Sequence, residues 1–471
     1  MTLVHILVFS AAGALYRLIA RGRGRVWVLL VGSLIALYWL QPATPILHLD
    51  FWLPTASLGL AVIAWSATRP RDQSDLREPL LTFAAVAGLV LALGLTRYLG
   101  PAWRLTPTRP PAIPTIALAL AAIAAAAVAL HACRSRRALV LVLTLLLLTL
   151  FVALKTEPLA TAVSAWLRSR TGQPVDLASP LDLRWLGFSY LAFRLLHTLR
   201  DRASGRLPSL TLGEYLVYIV FFPALTAGPI DRVERFVQDL RAPAGASPSA
   251  IQAGTRLILG VFKKFVLADS LAIVALNPTN AAQTSSTGWL WVLLYAYAFR
   301  LYLDFSGYTD IAIGLGNLFG IALPENFDRP YLRPNLTAFW NAWHMTLAGW
   351  FRAYVFNPLT RLLRSGKRIP PALIILIGQM TTMTLIGLWH GVSWNFALWG
   401  AWHGLGLFLH NRWNELLRSH PARWLENPTT RRMATVAGTL LTFHYVLLGW
   451  VWFALPSLGL SARVFSRLLG F

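Results

Sequence analysis

Cysteine is all but missing from this chain, and so is negative charge. Cys133 is the single cysteine, which excludes an intrachain disulfide and leaves a cysteine-built metal site without ligands. Asp and Glu number 19 against 42 Lys and Arg, a net charge of +23. Such an excess suggests nucleic acid, but the basic residues sit in short clusters between apolar runs. There is no basic stripe, zinc spacing or nucleic-acid module, so nucleic acid is not an expected partner. No Gly-x-Ser-x-Gly elbow, P-loop, dinucleotide fingerprint or HExxH motif occurs, so hydrolase, nucleotide-driven and metalloprotease readings lack support. Nothing resembles a cleaved signal peptide, and the first apolar run is expected to stay as a membrane segment.

What the chain does have is apolar length. It is 56% hydrophobic, 13% charged and has a mean hydropathy of +0.56, which places it among multispan membrane proteins. The pattern predicts an all-α polytopic bundle of about twelve membrane segments, without an internal repeat. Apolar runs at 3–16, 26–40, 51–65, 80–95, 116–130 and 138–154 come first. Arg17, Arg21, Arg23 and Arg25, then Arg69, Arg71 and Arg77, then Arg134, Arg136 and Arg137 mark the cytoplasmic connections. The link between the second and third runs holds no Lys or Arg, so it and the N-terminus are expected outside. Arg97, Arg104 and Arg109 weaken that rule without overturning it.

From Arg184 polar residues enter the apolar faces. WLGFSYLAFRLLHTLRD is amphipathic, and His197 in it reads as an ordinary buried histidine, as His131 and Cys133 do at their helix end. LGEYLVYIVFFPALTAGPIDR is expected to run as a helix to Gly228-Pro229, with protein or cavity water meeting the freed carbonyls. Glu325, Asn326, Asp328, Arg329, Pro330, Arg333 and Pro334 break the periodicity into a loop or re-entrant connection. TAFWNAWHMTLAGWFRAYVF reads as one aromatic helix or a pair of half-helices. The basic loop with Arg361, Arg364, Lys367 and Arg368 falls on the cytoplasmic face.

Ionisable groups at membrane depth are costly and usually line a cavity. Five stand out between Tyr295 and His410: Asp304, Asp310, His344, His390 and His403. His390 ends a long apolar run, framed by Trp389, Gly391 and Trp394, with Asn395 near enough to orient an imidazole. Histidine takes and returns a proton near neutral pH, as attack by an alcohol on a thioester requires. His344, between Trp343 and small residues, is the natural second member. His403 repeats the Trp-His-Gly pattern, and the residues alone do not rank it against His390. Asp304 and Asp310, with Ser306, Tyr308 and Thr309 between them, read as polar glue between helices rather than a metal site.

These residues resemble the membrane-bound O-acyltransferase family, in particular its bacterial branch that includes the alginate O-acetylation membrane subunit and the teichoic acid D-alanyl transfer protein. The resemblance is carried, in the family's order, by LVYIVFFPALTAGPIDR, LGVFKKFVLAD, YLDFSGYTDIAIGLGNLFGIALPENFDRPY, AFWNAWHMTLAGWFRAYVFNPL, GLWHGVSWNFALWGAWHG and LLGWVWF. It divides the chain into loosely matching helices over 1–183, a catalytic core over 184–455 and a tail over 456–471. It implies a transmembrane tunnel in which a cytoplasmic acyl thioester meets a hydroxyl acceptor from outside. It also makes His390 catalytic in preference to His403, and His344 the second functional histidine. Asn341 and Ala342 stand where relatives carry two arginines, Ala353 where an aspartate is usual, Thr360-Arg361 for a glycine pair and Ala454 for an arginine. These changes alter charge near the presumed donor mouth.

The expected activity is transfer of an acyl group, acetyl first, to a hydroxyl of an envelope polysaccharide or related acceptor, in the bacterial cytoplasmic (inner) membrane. No tightly bound cofactor or metal is expected; acetyl-CoA or an acyl carrier protein serves as co-substrate. Asp304, Ser306, Tyr308, Asp310, Trp343, Trp389, Trp394 and Asn395 are the candidate substrate contacts. Partners are membrane lipid, the donor or its carrier inside, and the polymer or a periplasmic transferase outside. The alternatives are a long-chain lipid or protein acyltransferase and a non-catalytic proton-coupled transporter or flippase.

Overall fold

The computed structural model describes residues 1–19, 24–70, 75–133, 136–242, 249–366, 368–420 and 427–470. Arg21, Arg23, Arg71, Arg134 and Lys367 lie outside them, and so does the side chain of Arg136. The described residues form helices and connections without a strand; Phe327 and Trp343 make one isolated bridge. Six helices are long and apolar enough to cross a membrane: Leu49–Thr68, Arg77–Tyr98, Ile113–Ala132, Arg137–Lys155, Pro371–His390 and Pro428–Ala454. Leu3–Leu18, Gly24–Leu40 and Leu212–Ala224 are shorter apolar helices. Among the described residues these are nine apolar helices, six long and three short; the sequence predicts about twelve membrane segments. Phe188–Ala203, Thr287–Leu318 and Trp394–Ser419 carry charged side chains that dilute their hydropathy.

The chain divides into two compact units, Met1–Leu257 with Ile311–Leu323, and Ile258–Asp310 with Pro324–Phe471.

In the first unit Leu49–Thr68 is the central helix, with 78% of its apolar window buried, against 11% for Ile113–Ala132. An almost uniformly apolar helix such as the latter has no water-facing side, so its exposed face suits lipid. Pro54 lies inside the central helix, where Thr55 Oγ1 donates to the Phe51 carbonyl and meets Tyr38 Oη at 2.7 Å. Asp50, fully buried, accepts from the backbone N–H and hydroxyl of Thr108. Glu78 accepts from the backbone N–H groups of Leu212 and Gly213, placing negative charge at a helix N-terminus where the dipole favours it.

That helix, Leu212–Val220, ends earlier than the sequence predicts. The chain leaves helical geometry at Phe221 (ψ 105°), two residues before Pro223, which has no N–H to continue the helix. A short 3-10 turn, Phe222–Ala224, follows. The expectation that protein meets the freed carbonyls holds: the buried guanidinium of Arg194 donates to the carbonyls of Tyr218 (3.0 Å), Ile219 (2.8 Å) and Ala224 (3.0 Å). His197 is buried as expected, with Nδ1 3.0 Å from Asp201 and Nε2 accepting from the N–H of Val233.

In the second unit two helices form a tight hairpin, Pro371–His390 and Trp394–Ser419. A Cβ on Gly387 would stand 2.0 Å from the Phe396 carbonyl oxygen, and one on Gly400 2.3 Å from that of Met383. Glycine at these two crossings lets the backbones touch, the packing that substitutes for a hydrophobic driving force within a membrane. The region 336–365 takes the half-helix form: Leu336–Trp340, a turn, Met345–Phe351, a π-helical stretch Arg352–Phe356, and Asn357–Ser365.

Candidate active site

His344 occupies the turn between the half-helices. Its φ of 43° and ψ of 53° are left-handed, a conformation that costs a non-glycine residue about 1–3 kcal/mol and tends to be kept at functional sites. The preceding loop holds the turn in place. Asp328 N–H donates to the Ala342 carbonyl (3.0 Å), and Met345 N–H to that of Asn326 (3.0 Å). The hydroxyl of Thr346 donates to Asn326 Oδ1 at 2.6 Å. Asn326 is fully buried, and its part in fixing His344 was not legible from a helix-breaking composition.

His344 is buried at 3% exposure. Neither ring nitrogen meets a polar atom of another residue among those described. Its ring stands edge-on to Phe305, centroids 4.7 Å apart, and to Trp389 at 6.2 Å. An imidazole so placed keeps both nitrogens for a ligand.

His390 ends its helix half-buried, with Gly391 extended behind it. Its ring lies against Trp389 (4.4 Å), Phe453 (4.7 Å), Trp399 (5.7 Å) and Phe396 (5.9 Å). The two histidines come together on one cavity of about 40 Å³, whose wall includes Leu301, Phe305, Trp340, Trp343, Leu347, Ile386, Trp399, Trp450 and Phe453. A proton-transferring group and a hydrogen-bonding group facing one small apolar space can activate a nucleophile and polarise a carbonyl where water does not compete.

His403 does not line this cavity. It is fully buried one aromatic layer away, in a cage of Trp340 (5.2 Å), Trp399 (5.0 Å), Phe339, Tyr445 and Trp450. Geometry therefore separates the two Trp-His-Gly histidines that the residues alone leave unranked.

The other candidates divide. Trp343 lines the cavity, and Trp389 touches both histidine rings. Trp394 is exposed at the start of its helix. The amide of Asn395 donates to the Leu455 carbonyl (2.7 Å), to that of Trp452 (3.3 Å) and to Ser461 Oγ (3.1 Å). It closes the C-terminal end of Pro428–Ala454, whose last carbonyls need donors.

Asp304 and Asp310 are each paired with a lysine: Lys264 with Asp304, and Lys263 with Asp310 at 2.7 Å. Both lysines lie on a π-helical stretch, Phe262–Ala268, brought close because Gly307 offers no Cβ to the Gly260 carbonyl 2.8 Å away. The carboxylates thus serve as polar glue between helices. Asp304, Ser306, Tyr308 and Asp310 lie off the cavity, to which their helix contributes Leu301 and Phe305. The cavity's aromatic wall went unread because single Trp and Phe residues carry no spacing signal in so aromatic a chain.

The model of the MBOAT, membrane-bound O-acyltransferase family matches residues 123–451. The chain is 33% identical over 285 residues to the teichoic acid D-alanyltransferase of Streptococcus thermophilus, covering 58% of this chain and 68% of that protein. It is 32% identical to the probable alginate O-acetylase of Pseudomonas aeruginosa (61% of this chain, 52% of that one). It is also 32% identical to the peptidoglycan O-acetyltransferase of Helicobacter pylori (55% and 46%). The match spans about half the length of the last two relatives.

Proposed function

Because the chain belongs to the membrane-bound O-acyltransferase family, we propose that this multi-pass membrane O-acyltransferase moves an acetyl group from a cytoplasmic thioester to a hydroxyl of a cell-envelope polysaccharide. The donor is acetyl-CoA or an acyl carrier protein, the membrane is the bacterial inner membrane, and a tunnel joins the two sides. A periplasmic transferase is the other candidate for the outer partner. The observation that carries the reading is the meeting of His344 and His390 on one cavity.

His390 is the general base. It takes the acceptor hydroxyl proton as the oxygen attacks the thioester carbonyl, then returns it to the departing sulfur. His344 donates to the carbonyl oxygen, whose developing charge has no water to stabilise it. Removing either group leaves the fold's apolar walls intact, so activity and assembly are separable.

Membranes holding the full chain are to be given radiolabelled acetyl-CoA, with label followed into polysaccharide. His390→Ala is expected to lose about 10²–10⁴-fold in transfer while inserting at the wild-type level. Wild-type transfer by that variant removes the proposed role, and proton-coupled uptake without acylated product would favour a transporter.

A further inference from the structure

Helix Pro371–His390 carries Gln379, Thr382, Met383, Ile386 and His390 on one face, at the three- and four-residue spacing of helical neighbours. Ile386 lines two cavities. One is the histidine cavity; the other, about 310 Å³, is walled in part by Gln379, Thr382, Met383, Phe356 and Leu407. Trp340 and Ile386 are the residues common to both. Each is buried, at 5% and 2% exposure, so neither can swing aside into solvent.

The histidine cavity is small. It measures about 40 Å³ against about 310 Å³ for its neighbour. Toward the larger cavity the way is closed by Ile386 and Trp340.

We propose that Ile386, backed by Trp340, sets the length of the acyl group this protein transfers. The inference rests on the histidine cavity being the acyl-transfer site. The reaction itself is unchanged: the acceptor C–O bond forms, the thioester C–S bond breaks, and the hydroxyl proton leaves on sulfur. Truncating Ile386 opens the cavity toward Met383, one turn back along the helix. The extension runs into the neighbouring cavity of about 310 Å³, walled in part by Phe356, Met383 and Leu407.

The test uses the full chain in membrane vesicles, with radiolabelled acetyl-, propionyl-, butyryl- and octanoyl-CoA as probes and label in polysaccharide as readout. The wild type should favour acetyl over butyryl by about tenfold or more, the discrimination a few methylenes support in an apolar pocket. Ile386→Ala should raise the butyryl-to-acetyl ratio about tenfold. Ile386→Val should raise the propionyl-to-acetyl ratio, and it keeps the test decisive if the alanine variant does not accumulate. Equal use of acetyl and butyryl by the wild type, or unchanged ratios in both variants, overturns the proposal. If the wild type transfers no label from any probe, the functional reading fails, a result distinct from unchanged ratios.

Discussion

His344 combines a left-handed backbone, burial and two ring nitrogens without a neighbouring polar group. Each is unfavourable for folding, which points to a ligand as the missing partner. Asparagine tolerates the same backbone region better than alanine. His344→Asn should therefore accumulate better than His344→Ala while both lose transfer, a difference read by comparing membrane content with label incorporation. His403 is as buried, and its ring nitrogens likewise meet no partner among the described residues, but its backbone is helical and it lies off the cavity. Its cage is aromatic on every side given by its ring contacts, and a residue of similar volume without ring nitrogens suits it. His403→Leu should change stability by less than about 1.5 kcal/mol and keep transfer, measured as thermal unfolding in detergent beside the acetyl assay. Loss of transfer with unchanged unfolding would move His403 into the site. The residues show why one sequence signal misleads: His390 and His403 share flanking residues, but His390 ends its helix on the cavity and His403 lies buried within the next helix, off it.

At the scale of elements, the site depends on how closely two helices approach. Gly387→Leu or Gly400→Val places a side chain against backbone carbonyl rather than a movable side chain, so both should fail to accumulate as folded protein, judged by detergent size-exclusion profiles. A monodisperse Gly400→Val protein would contradict the tight hairpin. Arg194 plays a comparable part in the first unit, and Arg194→Met should strand carbonyls at about 1–3 kcal/mol each. Outside the membrane, Asp182 pairs with Arg168 at 2.8 Å and accepts from Ser164 at 2.7 Å. Burial alone would raise its carboxyl, but the hydrogen bonds from Arg168 and Ser164 outweigh that and hold it below its ordinary value. A depressed carboxylate adds stability above its unfolded pKa, about 4, and gives it up as pH falls through the lower folded value. Hydrogen-exchange protection around 164–182, corrected for the intrinsic exchange rate at each pH, should be flat from neutral pH to about 5 and fall only below about 4. Many of these elements were legible because hydrophobic runs mark them: each of the first six apolar runs lies within a helix. Helix ends were less so, since Pro223 and Pro229 are equally good breakers on paper and only the carbonyl-capping Arg194 decides between them.

On the scale of the whole molecule, charge sets the orientation. The placement of basic clusters predicts that Cys133, the one native thiol, lies on the cytoplasmic side. An impermeant maleimide should label it in inside-out vesicles and not in intact cells opened only at the outer membrane; the reverse pattern would invert the topology. Class, family and the histidine pair were legible in the chain because composition and dense motifs encode them. The cavity wall was not, because it gathers residues from 301 to 453 through packing that no local spacing records. The most direct measurement is ester analysis of envelope polysaccharide by mass spectrometry, from cells carrying the wild-type chain or His390→Ala at matched expression. The account predicts that an acetyl ester present with the wild type disappears with the variant. An unchanged ester pattern would contradict it.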